Sequence, residues 1–302
     1  MQLASIKKSW MNQISDRSML YMFLLPTFAF LLFLVVFPLI WSLYLSFCDY
    51  SANTANPPIF TGVANYTYLF RQTDVWERFI RTGQFVIEAV IIEFFLGFLI
   101  AMLLNREFRG KRLLTTLFIL PMMFSPAVIG KFFRFMLDTN WGIVNYILGQ
   151  VFGIQKIAWT TSYEYALSSI VLTDVWIWTP FMILLSLAGL SSVPKYLYEA
   201  ADVDRASAWF KFRYITLPYV APILTLAALF RTMDAFRFFD VVYVLTEGGP
   251  SYETQIIPFY IYKLAFSYWN TGMSCALAYI LLIIIIALSN IYVNYLNSVR
   301  RA

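Results

Sequence analysis

The side chains that most enzymes use for catalysis are scarce in this sequence of 302 residues. It contains no histidine, which excludes histidine-based catalytic triads, metal sites and proton relays. Its two cysteines, Cys48 and Cys275, show no C-x-x-C spacing, so we interpret both as packing residues. The phosphate-binding pattern G-x-x-x-x-G-K-[ST] is missing, because Gly110-Lys111 and Gly130-Lys131 lack its other residues. We therefore expect no ATP hydrolysis by this chain.

Charged residues within apolar stretches are the remaining candidates for chemistry, because a charge at membrane depth is expensive and is functional by default. These residues are Glu88, Glu93, Lys131, Arg134, Asp174, Arg231, Asp234, Arg237 and Asp240. A structural alternative stays open. Arg231 with Asp234, and Arg237 with Asp240, stand at i, i+3 spacing and could pair within one helix.

The composition predicts the environment of these residues. The chain is 60% hydrophobic and 13% charged, with a mean hydropathy of +0.68, whereas soluble domains are roughly 45–50% apolar and about 25% charged. We interpret it as an all-α polytopic membrane protein, one domain over residues 1–302, with no repeat and no linker. The net charge of +5 is spread over loops, so we expect a lipid environment and no nucleic-acid partner.

Six stretches are long and apolar enough to span a bilayer, which needs about 20 such residues. They cover residues 19–47, 84–105, 113–137, 165–190, 216–245 and 273–297. The first has no small-residue cleavage site, so we expect a retained helix. Prolines interrupt several stretches, and such breaks fit a bundle that encloses a pathway. These prolines are Pro26, Pro38, Pro121, Pro126, Pro180, Pro218 and Pro222.

The distribution of Lys and Arg predicts the orientation. With both termini on one side, that side carries 13 basic residues: Lys7, Lys8, Arg17, Arg106, Arg109, Lys111, Arg112, Lys195, Arg205, Lys211, Arg213, Arg300 and Arg301. The other side carries five: Arg71, Arg78, Arg81, Lys156 and Lys263. By the positive-inside rule, both termini and the loop at about 191–215 are cytoplasmic, and residues 48–83 face outward.

One polar segment, EAADVDRASAWFKFRYITLP at 199–218, interrupts the apolar sequence. Before it, Ser191-Ser192-Val193-Pro194 predicts a helix start, with serine as the cap and proline in the first turn. We expect a short helix lying across the membrane surface, then a turn and a second helical stretch. A solvated amphipathic loop at the interface is the alternative.

This segment resembles the cytosolic EAA loop of binding-protein-dependent ABC importer permeases. In the carbohydrate (maltose/glycerol-phosphate-type) branch the pattern runs E-A-A-x-x-D-G-A-x5-F-x2-I-x-L-P. The matching residues are Glu199, Ala200, Ala201, Asp204, Ala206, Phe212, Ile215, Leu217 and Pro218. Arg205 stands where the family usually has glycine, so it must either adopt a left-handed conformation at some cost or shift the turn. Val241 to Pro250, which ends in Leu245-Thr246-Glu247-Gly248-Gly249-Pro250, resembles the family's L-T-x-G-G-P turn, and Gly142 to Asn145 resembles its G-[LI]-x-N element.

The resemblance implies a type I importer permease with six transmembrane helices and a cytosolic coupling helix in a bacterial inner membrane. Its partners would be a second homologous permease, two cytosolic ATPases, an extracytoplasmic solute-binding protein and a carbohydrate substrate. ATP and Mg would be bound by the ATPases, and this chain would hold no cofactor or metal. Six residues would couple it to an ATPase, with Glu199 as the acidic contact and Ala200 and Ala201 packing on the ATPase surface. The full set is Glu199, Ala200, Ala201, Asp204, Arg205 and Phe212.

The resemblance also implies where substrate passes. In helix five, Arg231, Asp234, Ala235 and Phe238 fall at i, i+3, i+4 and i+7, on one face. In maltose-type permeases the corresponding face holds sugar, together with the W-x-x-x-P-F segment, here carrying Trp176, Trp178 and Phe181. Aromatic rings suit the apolar face of a sugar. The two tryptophans could instead form an interfacial belt or ordinary packing.

Arg231 raises the alternative of an anionic substrate, such as a uronate oligosaccharide or a sugar or glycerol phosphate, because a guanidinium binds such groups bidentately. Asp234 on the same face could neutralise it. Two other protein classes are less compatible with the sequence. An ion-coupled secondary transporter would not need an EAA-type loop, and no inverted repeat is visible. A membrane enzyme would need clustered carboxylates or a metal constellation at the interface, and the sequence shows neither.

Overall fold

The long apolar stretches form helices, because a segment in hydrocarbon must satisfy its backbone polar groups within itself. The structure, a computed structural model, describes the backbone of residues 16–301 and the side chains of residues 18–297. Five basic residues used for the orientation lie outside the described side chains: Lys7, Lys8, Arg17, Arg300 and Arg301.

Fourteen α-helices and one short antiparallel strand pair make up the described chain. The strands are β1 (Cys48–Asp49) and β2 (Ile59–Phe60). The helices up to the polar segment are α1 (Asp16–Leu31), α2 (Phe37–Ser46), α3 (Ala64–Arg71), α4 (Thr73–Leu104), α5 (Lys111–Ile119), α6 (Pro126–Met136), α7 (Ile143–Phe152) and α8 (Ala166–Ser191). The others are α9 (Lys195–Val203), α10 (Ala208–Lys211), α11 (Leu217–Ala235), α12 (Asp240–Leu245), α13 (Ile257–Tyr262) and α14 (Thr271–Arg301).

Within the described residues, five helices are long and apolar enough to cross a membrane, and a bent pair makes a sixth if it counts as one span. The five are Ser18–Ser46, Thr73–Leu104, Ala166–Ser191, Ala208–Ala235 and Thr271–Asn297. The helical class predicted from the sequence is therefore confirmed, and the predicted six spans are reached if the bent pair counts as one span.

The predicted third span is not straight. Lys111–Met123 and Pro126–Met136 meet at an angle of 98°. Phe124 and Ser125 between them have extended backbones, with ψ of 151° and 132°. Ser125 precedes Pro126, whose ring disfavours a helical conformation of the residue before it. Of the two prolines predicted to interrupt this span, Pro126 stands at the break, whereas Pro121 lies within Lys111–Met123.

Single π-helical turns join helical segments at two other breaks in the spans. Leu32–Val36 connects α1 to α2 directly before Pro38, and Phe212–Thr216 connects α10 to α11 directly before Pro218. Proline cannot donate the backbone hydrogen bond of a regular turn, and a π turn absorbs that change without ending the helix.

Two predicted span boundaries are wrong. Helix α4 begins at Thr73, eleven residues before the predicted 84, because its polar first turns are fixed by side chains. There Arg78 Nη1 lies 2.5 Å from an Asp74 carboxylate oxygen. Helix α11 ends at Ala235, not at 245: Phe236 follows it as the cap residue, and a separate helix, α12, begins at Asp240.

The described chain divides into two compact units. The first comprises residues up to 68 together with 264–279. Its turn region is held by Asn65, whose Nδ2 donates to the carbonyl oxygens of Ser46 and Cys48 at 3.0 and 2.9 Å. The amide of Gly272 donates to the Tyr50 carbonyl at 3.0 Å.

The second unit comprises residues 69–263 and 280 onward. Its centre is α8, which packs against α4 on one side and α11 on the other. Helices α4 and α8 come close at Gly97, where an added Cβ would collide with the Met182 side chain. An apolar cluster joins the three helices: Ala101, Leu104, Ile183, Leu190, Val193, Val220 and Leu224. These helices position both candidate sites described below.

Candidate functional site

Three charged side chains from three spans meet inside the second unit. Arg231 of α11 donates from Nε to Glu93 Oε2 at 2.6 Å and from Nη2 to Glu93 Oε1 at 3.0 Å. The same Nη2 donates to Asp174 Oδ2 on α8. The Arg231 side chain is 1% exposed and both carboxylates are 0% exposed. We call Glu93, Asp174 and Arg231 the buried charge cluster. It ties α4, α8 and α11 together at membrane depth.

The sequence indicated all three residues as candidates but paired Arg231 with Asp234 alone. That i, i+3 ion pair exists, with 3.6 Å between Arg231 Nη1 and Asp234 Oδ2, but it is the longest of the contacts of Arg231. The pairing partners could not be read from the chain, because they lie on other helices. The sequence did contain one indication of this pairing. Charged side chains at membrane depth must pair with one another or contact water, and four of them lie on only three spans.

The geometry does not support the expectation that Arg231 binds an anionic substrate. A guanidinium that binds an anionic substrate must be accessible, whereas that of Arg231 is buried and held by two carboxylates. Arg231 is therefore not a free anion-binding group in this structure. The second predicted pair, Arg237 with Asp240, forms no ion pair among the described residues, and both side chains are exposed.

The predicted pathway residues do not share one helical face. Because α11 ends at Ala235, Phe238 lies in the following turn, where its ring stacks on Phe85 with centroids 5.2 Å apart. Ala235 and Phe238 are buried, and Asp234 is 47% exposed. Asp234 is therefore the accessible polar residue of the face that was predicted to contact substrate.

The aromatic residues of α8 point to different surroundings. Trp178 is half-buried and its ring lies 5.4 Å from the Arg231 guanidinium carbon. Trp176 instead packs on Phe133, with centroids 5.7 Å apart, and lines an apolar cavity of about 320 Å³ with residues of α6. Phe181 is half-buried. Trp178 and Asp234 thus both lie beside Arg231, whereas Trp176 lies in a separate apolar environment.

The polar segment folds as predicted: helix α9 covers Lys195–Val203, a turn follows, and α10 begins at Ala208. The predicted serine cap is wrong. Ser191 and Ser192 hydroxyls donate to carbonyls of the last turn of α8, at 2.6 Å to Leu187 and 2.7 Å to Gly189. Pro194 occupies the cap position of α9. The serines therefore close the preceding helix and do not open α9.

Helix α9 is exposed over most of its surface, and four of its exposed residues form one stripe. Tyr196, Glu199, Ala200 and Val203 stand at i, i+3, i+4 and i+7 and are all exposed, with Val203 at 84%. Ala201 is buried at 7%, so it packs within this chain and not against a partner as expected. This face, named here the α9 face, carries one carboxylate among apolar groups.

The turn after α9 depends on Arg205, which has a φ of +54°. Its amide donates to the Asp202 carbonyl at 3.1 Å, and the Ala206 amide donates to the Ala201 carbonyl at 2.8 Å. These bonds close the helix end around a left-handed residue, a position that glycine occupies without steric cost. Of the two conformations open to Arg205, the structure shows the left-handed one.

Side-chain contacts hold this segment together, and one of them reaches a membrane helix. Tyr198 and Thr216 share a hydroxyl hydrogen bond of 2.8 Å, and Lys211 forms an ion pair with Asp202. Phe212 lies between Trp209 and Phe98, with ring centroids 5.6 and 6.3 Å away. Phe212 therefore anchors the segment to α4, which is a structural contact within the chain.

The G-[LI]-x-N element and the L-T-x-G-G-P turn stabilise loops. Asn145 is buried, and its amide group bonds the backbone of Thr139 and Ile157 and the Trp159 ring nitrogen. In the L-T-x-G-G-P turn, Glu247 and Gly248 have positive φ, and Glu247 accepts from Arg134 Nη1 at 3.0 Å. Arg134, a candidate pathway charge, is thereby engaged outside the buried charge cluster.

The sequence matches a family model described as the binding-protein-dependent transport system inner membrane component, over residues 93–301. That region contains both the buried charge cluster and the polar segment. The chain belongs to this family.

Relatives extend the match over nearly the whole chain. A probable ABC transporter permease of Sinorhizobium fredii is 35% identical, covering 88% of this chain and 86% of that protein. The trehalose/maltose transport system permease MalF of Thermococcus litoralis is 32% identical, over 91% and 92%. The sulfoquinovosyl glycerol transport system permease SmoG of Agrobacterium fabrum is 31% identical, over 96% and 93%.

A solved structure shares the fold. It is a chain of a bacterial ABC transporter involved in the import of the acidic polysaccharide alginate, with a TM-score of 0.82, 22% identity and 98% coverage of both chains. The type I permease architecture expected from the EAA resemblance is confirmed. The permease is a transport component of the inner membrane and not an enzyme, because its relatives are named as transport system permeases.

Proposed function

We propose that this permease is the membrane-spanning subunit of an ATP-driven importer for sugars or oligosaccharides, powered by separate ATPases that grip the α9 face. The α9 face is the observation that carries the proposal. Four exposed residues form an acidic and apolar helix surface that a partner can contact, while Phe212 of the same segment packs on Phe98 of α4. The sugar class is supported by the relatives, two of which are named for sugar or sugar-derivative transport.

In this proposal the polar segment and both termini are cytoplasmic, following the excess of basic residues on that side. ATP and Mg are bound by two ATPases, and this chain needs no cofactor of its own. A second homologous permease completes the pathway, and an extracytoplasmic binding protein delivers the substrate. Closure of the ATPases rocks the two permeases between inward-facing and outward-facing states.

The α9 face transmits that movement because it is rigidly connected. Val193 and Leu190 at the junction of α8 and α9 belong to the apolar cluster that joins α4, α8 and α11. A displacement of α9 therefore moves three membrane helices and not a loose loop. Ala200 admits close approach of a partner, and Glu199 offers a carboxylate for a basic side chain.

Association is tested by affinity purification of the tagged permease from a membrane extract of its native host. We expect a second EAA-bearing permease and an ATPase to co-purify in stoichiometric amounts, and a solute-binding protein to associate transiently. Val203→Asp, on the α9 face, should release the ATPase but keep the second permease. Glu164→Lys, at an exposed position in the loop before α8, is the control and should keep both. Retention of the ATPase by Val203→Asp would contradict docking at this face.

A further inference from the structure

The buried charge cluster carries more negative charge than positive charge when all its members are ionised. Two carboxylates with no exposure, Glu93 and Asp174, share the single guanidinium of Arg231, which is 1% exposed. A buried charge without an opposite charge pays a large desolvation penalty. The second carboxylate of the cluster therefore needs a positive charge of its own or a proton.

The described residues around the cluster supply no further positive charge. The other groups that act electrostatically on Asp174 are Glu93, Arg231 and Asp234, and Asp234 adds a third carboxylate, 47% exposed. The arginines in the first turns of α4 have ion-pair partners of their own. The remaining charged side chains on helices packed against α8 form no ion pair with the cluster in the described structure: Glu88, Lys111, Arg112, Lys131, Arg134 and Asp240.

The hydrogen bonds of the cluster distinguish its two buried carboxyl groups. Glu93 accepts from Arg231 with both oxygens, at 2.6 and 3.0 Å, which is the contact that a guanidinium makes with an ionised carboxylate. Asp174 accepts from Arg231 with Oδ2 alone. Its Oδ1 is buried and has no hydrogen-bond partner among the described residues. Glu93 is therefore the ionised partner of Arg231, and Asp174 has a free oxygen that can hold a proton.

Glu93 and Asp174 also act directly on each other. Both bond the same nitrogen, Arg231 Nη2, and their carboxyl groups lie within hydrogen-bonding reach of one another. Two ionised carboxylates repel and have no hydrogen to share, whereas a carboxylic acid donates to a carboxylate. One proton between them replaces repulsion by a hydrogen bond and balances the charges of the cluster.

We propose that Asp174 is a proton-binding site, which remains a carboxylic acid within the membrane, donates its proton to Glu93 and makes the buried charge cluster neutral. The three spans are then joined by one ion pair and a hydrogen bond, with no net charge buried between them. The inference goes beyond the proposed function, because it does not depend on the solute or on the ATPase that the permease uses.

The test is infrared spectroscopy of the detergent-solubilised permease complex at neutral pH, because a carboxylic acid has a carbonyl band apart from the bands of carboxylates and amides. We expect such a band in wild type and its loss in Asp174→Asn, whose amide keeps a donor toward Glu93. Wild-type protein that contains aspartate isotopically labelled at the side-chain carboxyl carbon should show the same band at lower frequency. Asp234→Asn removes a carboxylate beside the same arginine and is the matched control, which should keep the band.

Glu93→Gln tests the charge balance without altering Asp174. One carboxylate then remains for Arg231, so Asp174 should ionise and its acid band should disappear although the residue is present. A contact with a merely structural role would not move this band. Size-exclusion profiles check that each complex is assembled, and the isotope experiment needs no substitution.

Several results would overturn the inference. They are absence of the band from wild type, a shift on labelling of glutamate instead of aspartate, loss of the band in Asp234→Asn, and persistence of the band in assembled Asp174→Asn or Glu93→Gln. The ATPase association and coupling tests do not involve this cluster, so either proposal can fail alone.

Discussion

Single residues in this permease carry out tasks that their sequence positions alone do not reveal. Arg231 was expected to face substrate and is instead buried between Glu93 and Asp174. Ala201 was expected at a partner surface and packs inward, while its neighbour Ala200 stays exposed. Arg205 takes the left-handed conformation that glycine favours. In each case the environment, and not the residue type, decides the role.

Arg205→Gly should be tolerated or slightly stabilising. A left-handed non-glycine residue costs about 1 kcal/mol or more, and the greater freedom of glycine in the unfolded chain offsets part of the gain. Thermal unfolding of the solubilised permease should shift little, and transport should persist. Lys195→Gly, in the first turn of α9, is the control and should cost up to about 1 kcal/mol. Loss of transport in Arg205→Gly would mean that the guanidinium makes a specific contact.

The two adjacent alanines of the motif should separate folding from coupling. Ala201→Leu overfills a buried position and should destabilise the permease by about 1–3 kcal/mol. Ala200→Leu enlarges an exposed position, so it should leave thermal stability unchanged and lower ATPase association. Thermal unfolding and co-purification measure the two effects. Similar behaviour of both variants in both assays would contradict the assigned faces.

At the scale of elements, helices α4, α8 and α11 form the unit that connects the two candidate sites. Their apolar cluster includes Val193, next to α9, and their buried charge cluster lies nearer the other end of α8. Helix α8 packs against both of the other helices along its length. Movement at the α9 face can therefore reach Asp234 through packed helices, without a separate relay of loops.

The α4–α8 contact predicts different effects of two glycines in one helix. Gly97→Ala brings a Cβ against the Met182 side chain and should destabilise by about 1–3 kcal/mol. Gly83 meets nothing within 4 Å, so Gly83→Ala should stabilise by up to about 1 kcal/mol through helix propensity. Denaturation of the solubilised permease compares the two directly. Equal shifts would show that helix packing at Gly97 is looser than described.

Hydropathy predicted most of the elements and failed where polar side chains hold a helix together. The apolar spans, the proline break before Pro126 and the helix–turn–helix of the polar segment follow from composition and local chemistry. The start of α4 at Thr73 does not, because Asp74 and Arg78 stabilise turns that hydropathy scores as loop. The end of α11 and the pairing of Glu93 with Arg231 depend on contacts between helices, which no local pattern encodes.

At the scale of the whole molecule, this permease is a transport component of the inner membrane. It has no phosphate-binding loop and no histidine, yet it presents an acidic, apolar helix face beside tightly packed membrane helices. The chain belongs to the binding-protein-dependent transport family, and we propose that a separate ATPase subunit supplies the energy. In the proposed function, the α9 face receives the movement of the ATPase subunits.

The most direct test of the central claim is ATP hydrolysis by the complete transporter, reconstituted in liposomes with its binding protein and substrate. Glu199→Lys reverses the charge of the α9 face without touching a buried residue, and Glu164→Lys makes the same change in the loop before α8. We expect Glu199→Lys to express and insert normally but to lose substrate-stimulated ATP hydrolysis and uptake, while Glu164→Lys keeps both. Stimulated hydrolysis at the wild-type level in Glu199→Lys would contradict coupling through the α9 face.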